Sequence, residues 1–145
     1  MTITPSALVR STLALLLAAL LEACGGGGVV PSNGVTIRAL PAEYTSRQAV
    51  AYSPFRSANR DTETITSAMI KQDLDLLVAG NFKLIRLFDS SDAVSRQTLQ
   101  VIKDNGMDIK VQLGIWVASG NEAATQADIA RGVVLANSFR DIVWP

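Results

Sequence analysis

The sequence contains no histidine and only one cysteine, Cys24. Without imidazole no side chain changes its unperturbed charge near neutral pH, and histidine-ligated metal centres are excluded. One thiol can neither close an internal disulfide nor build a thiolate cluster, so no metal and no cofactor is expected. An excess of one charge is also missing. Thirteen Lys and Arg balance thirteen Asp and Glu, and no block of like charge offers a face to a phosphate backbone, which argues against a nucleic-acid partner. The amino-terminal apolar stretch, residues 11–21, is shorter than the ~20 residues a permanent membrane helix needs. Chemistry is left to carboxylates, hydroxyls, amides, Arg, Lys and aromatic rings.

What is present begins with an address. Residues 1–10 carry one side-chain charge, Arg10, ahead of the apolar stretch, which has the length of a signal-peptide hydrophobic region. Leu21-Glu22-Ala23-Cys24 resembles a bacterial lipobox, in which the cysteine is lipidated and becomes the first mature residue. Glu22 stands where that pattern has a small or neutral residue. The alternative is an ordinary signal peptide followed by an unrelated cysteine. Gly25 to Gly28 follow a signal rather than a strand, and no lysine-serine pair comes after them, so they read as tether and not as a phosphate loop. The expected organisation is a signal peptide at 1–23, a lipidated Cys24 with a glycine-rich tether over 24–46, and a folded domain over 47–145. Such a protein is exported and held by lipid at a bacterial envelope membrane, on its periplasmic or outer face.

From about residue 47 a strand–helix alternation sets in. Residues 48–53 read as a first strand closed by Pro54. Thr66 caps a helix to residue 78 or 79, with Ile65 and Ile70 as a hydrophobic staple and Gly80 as its terminator. Ile70, Leu74 and Leu77 share one face of it. Residues 83–88 form the second strand. A second helix runs to about Asp104 and closes at Asn105-Gly106. Residues 109–116 form the third strand. Ser119 and Glu122 have the spacing of a capping box for a third helix, along which Ile129, Val133 and Ala136 make an apolar stripe. Asp141 to Trp144 begin a fourth strand. Short connections and a period of roughly 30 residues argue for parallel strands with crossover helices. Both a doubly wound open sheet and an eightfold barrel meet that description.

In either architecture function gathers at the carboxyl ends of the strands. Tyr52, Ser53 and Phe55 arrive there first, then Arg86, Phe88, Asp89 and Asp92, then Trp116, Ser119, Asn121 and Glu122. Flat aromatic faces suit the apolar faces of sugar rings, and the charged and amide groups suit their hydroxyls. Each residue also has a structural reading. Asp89 and Asp92 suit capping of the second helix, and Glu122 suits the box with Ser119. Trp116 and Tyr52 serve equally as core or as platform, and the Tyr52 hydroxyl needs a partner in both cases. Arg86 sits in an apolar strand and points opposite to Ile85 and Leu87, toward a barrel mouth or a carboxylate, with plain solvent exposure as the alternative.

The segments AYSPFR (51–56), DLDLLVAGNFKLIRLFD (73–89), VIKDNGMDIKVQLGIW (101–116) and GNEAATQADIARGVVLAN (120–137) resemble the start of glycoside hydrolase family 17, in its bacterial and fungal branches acting on β-1,3-glucans. The resemblance implies an α/β fold, here the first three and a half units of a (β/α)8 TIM barrel. It also implies Tyr52, Arg86, Phe88, Asp89 and Trp116 as glucan-cleft residues. Family members are retaining hydrolases or transglycosylases. One glutamate protonates the glycosidic oxygen and a second forms the covalent glycosyl-enzyme. Their acid/base glutamate follows an asparagine at the end of the fourth strand, and the nucleophile lies near the end of the seventh. Neither matching position falls within residues 1–145, and Asn121-Glu122 comes one strand too early. No catalytic residue is therefore expected in this chain, and inactivity as given follows from the resemblance. The alternatives are a non-catalytic, membrane-tethered carbohydrate-binding or envelope lipoprotein, and a small flavodoxin-like domain, against which stands the lack of a glycine loop after the first strand.

Three and a half units leave a strand edge and an apolar sheet end uncovered. Residues 25–145 expressed alone are expected to be marginally stable or to aggregate. A sharp, reversible and concentration-independent thermal transition would refute that expectation.

Overall fold

The computed structural model describes residues 39–145. Four strands, β1 (Gln48–Ala51), β2 (Phe82–Arg86), β3 (Lys110–Gln112) and β4 (Val143–Trp144), form one sheet in the order β1-β2-β3-β4. Every neighbouring pair is parallel. The helical crossovers are α1 (Ser67–Ala79), α2 (Gln97–Asp104), which a π-helical turn at Asp92–Arg96 leads into, and α3 (Glu122–Ser138). Consecutive parallel order with one helix per crossover is the order of a (β/α)8 barrel wall; an open doubly wound sheet reverses its order partway. The fold is α/β and comprises three units of such a wall plus the strand of a fourth. The ladders are shorter than the apolar runs in sequence, although just beyond them the Tyr52 N–H still donates to the Arg86 carbonyl and the Leu87 N–H to the Gln112 carbonyl, both at 3.0 Å.

Alternation along the strands separates two faces. Val50, Ile85, Val111 and Val143 join the helix-facing core with Ile70 and Leu74 of α1, Leu99 and Ile102 of α2, and Leu135 of α3. On the opposite face Ala51, Arg86, Gln112 and Trp144 stand in register as one rung. The turn Ala42–Ser46 packs on this inner face. Gln112 donates from Nε2 to the Tyr44 hydroxyl at 3.1 Å, and the Tyr44 and Trp144 rings lie 6.2 Å apart. The folded body thus includes a turn that precedes residue 47.

The helix ends follow the expected chemistry with one exchange of roles. The Thr66 hydroxyl accepts from the Met69 N–H, capping α1, and Ile65 and Ile70 both belong to the apolar cluster. At the other end Gly80 has an ordinary φ of −81°, and the left-handed residue is Asn81 at φ 61°. Asn tolerates that region better than most side chains. Space rather than backbone freedom suits Gly80 to its place, since a Cβ there would stand 3.2 Å from the Phe82 ring.

The first turns of the other helices depart from the sequence expectation. Ser91, not Asp89 or Asp92, caps the turn leading into α2, accepting from the Val94 N–H. Asn121 caps α3 by accepting from Ala124, while Glu122 accepts from Gln126, so no box joins Ser119 to Glu122.

The larger departure concerns which face of α3 is buried. Thr125, Asp128, Gly132 and Leu135 face inward. Ile129 and Val133 of the apolar stripe are 39% and 56% exposed. The inward face is made of small and polar groups because the helix must lie close to the loops after β2 and β3, where bulk would collide. Ile129, Val133 and Ala136 instead line a shallow apolar groove with Leu113, Ile115 and Trp144, beside the edge strand β4. Leu135→Ala should therefore cost about 2–5 kcal/mol, the usual range for a buried leucine, whereas Val133→Ser should stay within about 0.5 kcal/mol. Chemical denaturation of both variants checks the assignment of faces.

Candidate functional site

The carboxyl edge of the sheet is assembled by two close approaches and one buried carboxylate. After β3 the backbone at Gly114 passes so near the β2 exit that a Cβ would overlap the Leu87 carbonyl oxygen and come within 2.9 Å of Phe88 Cα. Gly132 of α3 leaves a notch that Ile115 fills, and a Cβ there would collide with the isoleucine methyl. Four residues earlier, Asp128 is 4% exposed. Its Oδ2 accepts from the Trp116 N–H at 2.7 Å, and its Oδ1 accepts from Arg131 at 2.7 Å and from the Ser90 N–H at 3.4 Å. The Ser90 hydroxyl closes the clamp by donating to the Asp128 carbonyl at 2.6 Å. Burial pushes the Asp128 carboxyl up, but the Trp116 N–H, Ser90 and Arg131 together outweigh it and hold the group below its ordinary value. One helix side chain thus ties down both loops that carry the candidate platforms.

Those platforms are presented rather than buried. Phe88 is 45% exposed and Trp116 62% exposed, so Trp116 is not core. With Ser53, Arg60 and Asp89 they line a cavity of about 520 Å³. Asp89 is held from behind, with Oδ1 accepting from the Ser91 N–H at 2.9 Å and from the Ser95 hydroxyl at 3.2 Å. Arg86 lies one step below on the same inner face, exposed, and its guanidinium has no hydrogen bond or ion pair among the described residues.

Tyr52 lies apart from this group. It is 7% exposed in the helix-facing core, and its hydroxyl donates to Asp73 of α1 at 3.1 Å. Burial, reinforced by the Asp73 carboxylate, pushes its phenol far above the usual value. Arg56 shares Asp73 at 2.5 Å, and Glu63 accepts from the Arg56 and Ser57 N–H groups. Tyr52 and Arg56 therefore brace the β1 loop behind the cavity. Four of the five expected cleft residues share the inner mouth and one supports it.

Sequence reasoning passed over Arg60, Asp128 and the two glycines. A signal for Asp128 was available in the 3-4-3 spacing of Thr125, Asp128, Gly132 and Leu135, a small and polar stripe on a helix otherwise rich in Val and Ile. Among the described residues no group of His, Cys, Asp and Glu could hold a metal ion, and no helix is long and apolar enough to cross a membrane. Cys24 and the expected signal peptide lie outside the described residues.

No family model matches the sequence, and no curated protein matches it. Among solved structures, the fold is similar to an endo-laminarinase from Formosa Hel1_33_131, with a TM-score of 0.63 and 22% identity over 69% of this chain. The match spans 30% of the laminarinase chain. The likeness is one of fold: the α/β arrangement of the sheet and its crossover helices is shared with that structure.

Asp128→Asn should weaken the clamp, because an amide nitrogen would face N–H donors and the charge-assisted bonds would be lost. A cost of about 2–4 kcal/mol is expected. A carboxyl held low in the folded state contributes stability that is complete above its unfolded value of about 4 and is lost as pH falls through the depressed folded value. Denaturation as a function of pH should therefore show a shallower acid limb in Asp128→Asn than in the unaltered protein.

Proposed function

We propose that this chain binds β-glucan through the carboxyl edge of its sheet, as part of a barrel resembling glycoside hydrolase family 17, and that lipid on Cys24 holds it at a bacterial envelope membrane. The observation that carries the reading is the cavity between Phe88, Asp89 and Trp116, where two exposed aromatic faces flank a braced carboxylate. Exposed, pre-positioned rings give contact area at little cost in conformational freedom. The endo-laminarinase likeness supports the glucan as ligand.

Retaining hydrolysis needs two carboxyl groups facing each other about 5–5.5 Å apart. Among the described residues the carboxylates at this edge are occupied otherwise. Asp89 braces its own loop, Asp92 pairs with Arg96 at 2.5 Å, and Glu122 accepts from Gln126. Residues 39–145 thus offer sugar binding without an acid and nucleophile pair, and turnover would require carboxylates from elsewhere. This favours the binding role over hydrolysis by these residues alone. The lipobox resemblance supports the anchor.

Titration of the full chain in detergent with laminari-oligosaccharides, followed by tryptophan fluorescence, tests the reading. Saturable binding is expected, and Trp116→Ala should weaken it at least fivefold, or about 1 kcal/mol. Absence of saturable binding by the unaltered chain would overturn it. Separately, Cys24→Ser should abolish fatty-acid labelling and release the protein from the membrane fraction in a bacterial host.

A further inference from the structure

The arginines of the described body fall into two groups. Arg47, Arg56, Arg96 and Arg131 each meet a carboxylate. Arg60 does not. Its backbone carbonyl accepts from the Glu63 N–H, but its guanidinium has no hydrogen-bond or carboxylate partner among the described residues. Its plane is nonetheless not loose in solvent. The guanidinium carbon sits 4.5 Å from the centroid of the Phe55 ring, a cation–π distance, and the side chain lines the same cavity as Trp116, Phe88 and Asp89.

The loop that carries it is fixed at both ends. The Ser57 hydroxyl accepts from the Asn59 N–H, Glu63 accepts from the Arg56 and Ser57 N–H groups, and Arg56 is pinned to Asp73. Arg60 itself opens the short turn Arg60–Thr62. A guanidinium held over a ring keeps its donors in a planar fork. Here the fork meets no protein acceptor and faces an open cavity with aromatic walls.

We propose that Arg60, stacked on Phe55, is a specificity-determining residue of this cleft, donating to the hydroxyl oxygens of a sugar ring that stacks on Trp116. This rests on the β-glucan reading of the same site. Phe55 acts through Arg60 as a positioning residue, because its ring orients the fork and does not line the cavity itself. The arrangement explains why the first loop, which contributes no aromatic platform, reaches into the cavity: it supplies the donors that Asp89, an acceptor, cannot. Donors and an acceptor lining one cavity would read the orientation of a ring's hydroxyls, whereas aromatic faces alone read only its flatness.

The test uses the full chain in detergent with laminari-oligosaccharides and, in parallel, cello-oligosaccharides of equal length. Arg60→Ala is expected to weaken laminari-oligosaccharide binding about tenfold and to narrow the preference over the cello series. Arg60→Lys keeps the charge but loses the planar fork, and should recover less than half of the loss in binding free energy. Phe55→Leu should fall between the unaltered protein and Arg60→Ala. Melting temperatures are read alongside. Should Arg60→Ala also melt early, Arg60→Gln, which retains the stem and two donors, decides the matter: weakened binding at an unaltered melting temperature supports the proposal, and unaltered binding overturns it. Unaltered binding and preference in Arg60→Ala overturn it outright while leaving the glucan reading in place. If the unaltered chain binds neither series, the glucan reading falls and this inference falls with it.

Discussion

A single carboxylate on a crossover helix ties together two of the loops at the carboxyl edge of the sheet. Asp128 reaches from α3 to the Trp116 N–H and to Ser90, so the loops leaving β2 and β3 are referred to one rigid element instead of to each other. A buried charge of this kind is costly unless its lone pairs are filled. Here Arg131, Ser90 and Trp116 fill them, and the group stays ionised despite burial. Such a clamp requires the helix backbone to come close. Gly132 permits that on α3, and Gly114 permits the matching approach on the β3 side. Phe88 and Trp116 can then remain exposed without being mobile, since their backbones are fixed where their side chains are not.

The two ends of the sheet use their charges in opposite ways. At the amino end Asp108 sits between Lys83 at 3.1 Å and Arg47 at 2.9 Å, and these cations hold its carboxyl below the usual value. Arg47 also donates to the Lys83 carbonyl and lies 5.0 Å over the Trp144 ring. Charge there is spent on holding β1, β2 and β3 together. At the carboxyl end Arg60 and Arg86 have guanidinium groups with no acceptor among the described residues, and Asp89 presents one oxygen inward while the other is engaged. Ion-paired charges gather at one end and guanidinium groups without an acceptor at the other, and in barrels of this order the carboxyl end is where ligand sites are found.

The units and their order were legible from sequence because apolar periodicity, Thr66 and the Asn105-Gly106 stop are local signals. Phe88, Asp89 and Trp116 were legible for a related reason, since position at a strand's carboxyl end follows once the strand is placed. Tyr52 was ambiguous because alternation near the end of a short strand does not settle which layer a ring enters. The structure puts it against α1, with Asp73 supplying the partner its hydroxyl needs. The inward face of α3 was not legible for a deeper reason. The expectation that the more apolar stripe is buried holds where a helix packs on side chains. It fails where a helix packs on backbone, and the loops after β2 and β3 offer α3 mainly N–H groups and a serine hydroxyl. Thr125, which accepts from the Ala118 N–H, and Asp128 answer those groups, as Ile129 and Val133 could not.

This last point bears on what the exposed stripe means. Ile129 and Val133 are not a failure of burial within the described body. They lie beside β4, which among the described residues pairs with β3, and they line a groove with Trp144 there. In a parallel wall each helix covers the junction of two strands. α3 meets the loops after β2 and β3 through its inner face, and its Ile and Val stripe lines the groove beside β4. The same helix therefore carries two instructions at right angles. Its polar inner face fixes the loops of the site, and its apolar flank marks the side on which the sheet is open. The two faces meet at Gly132, which lies on the inward side and also lines the groove, so the loops of the cleft and the apolar flank are set by one stretch of helix.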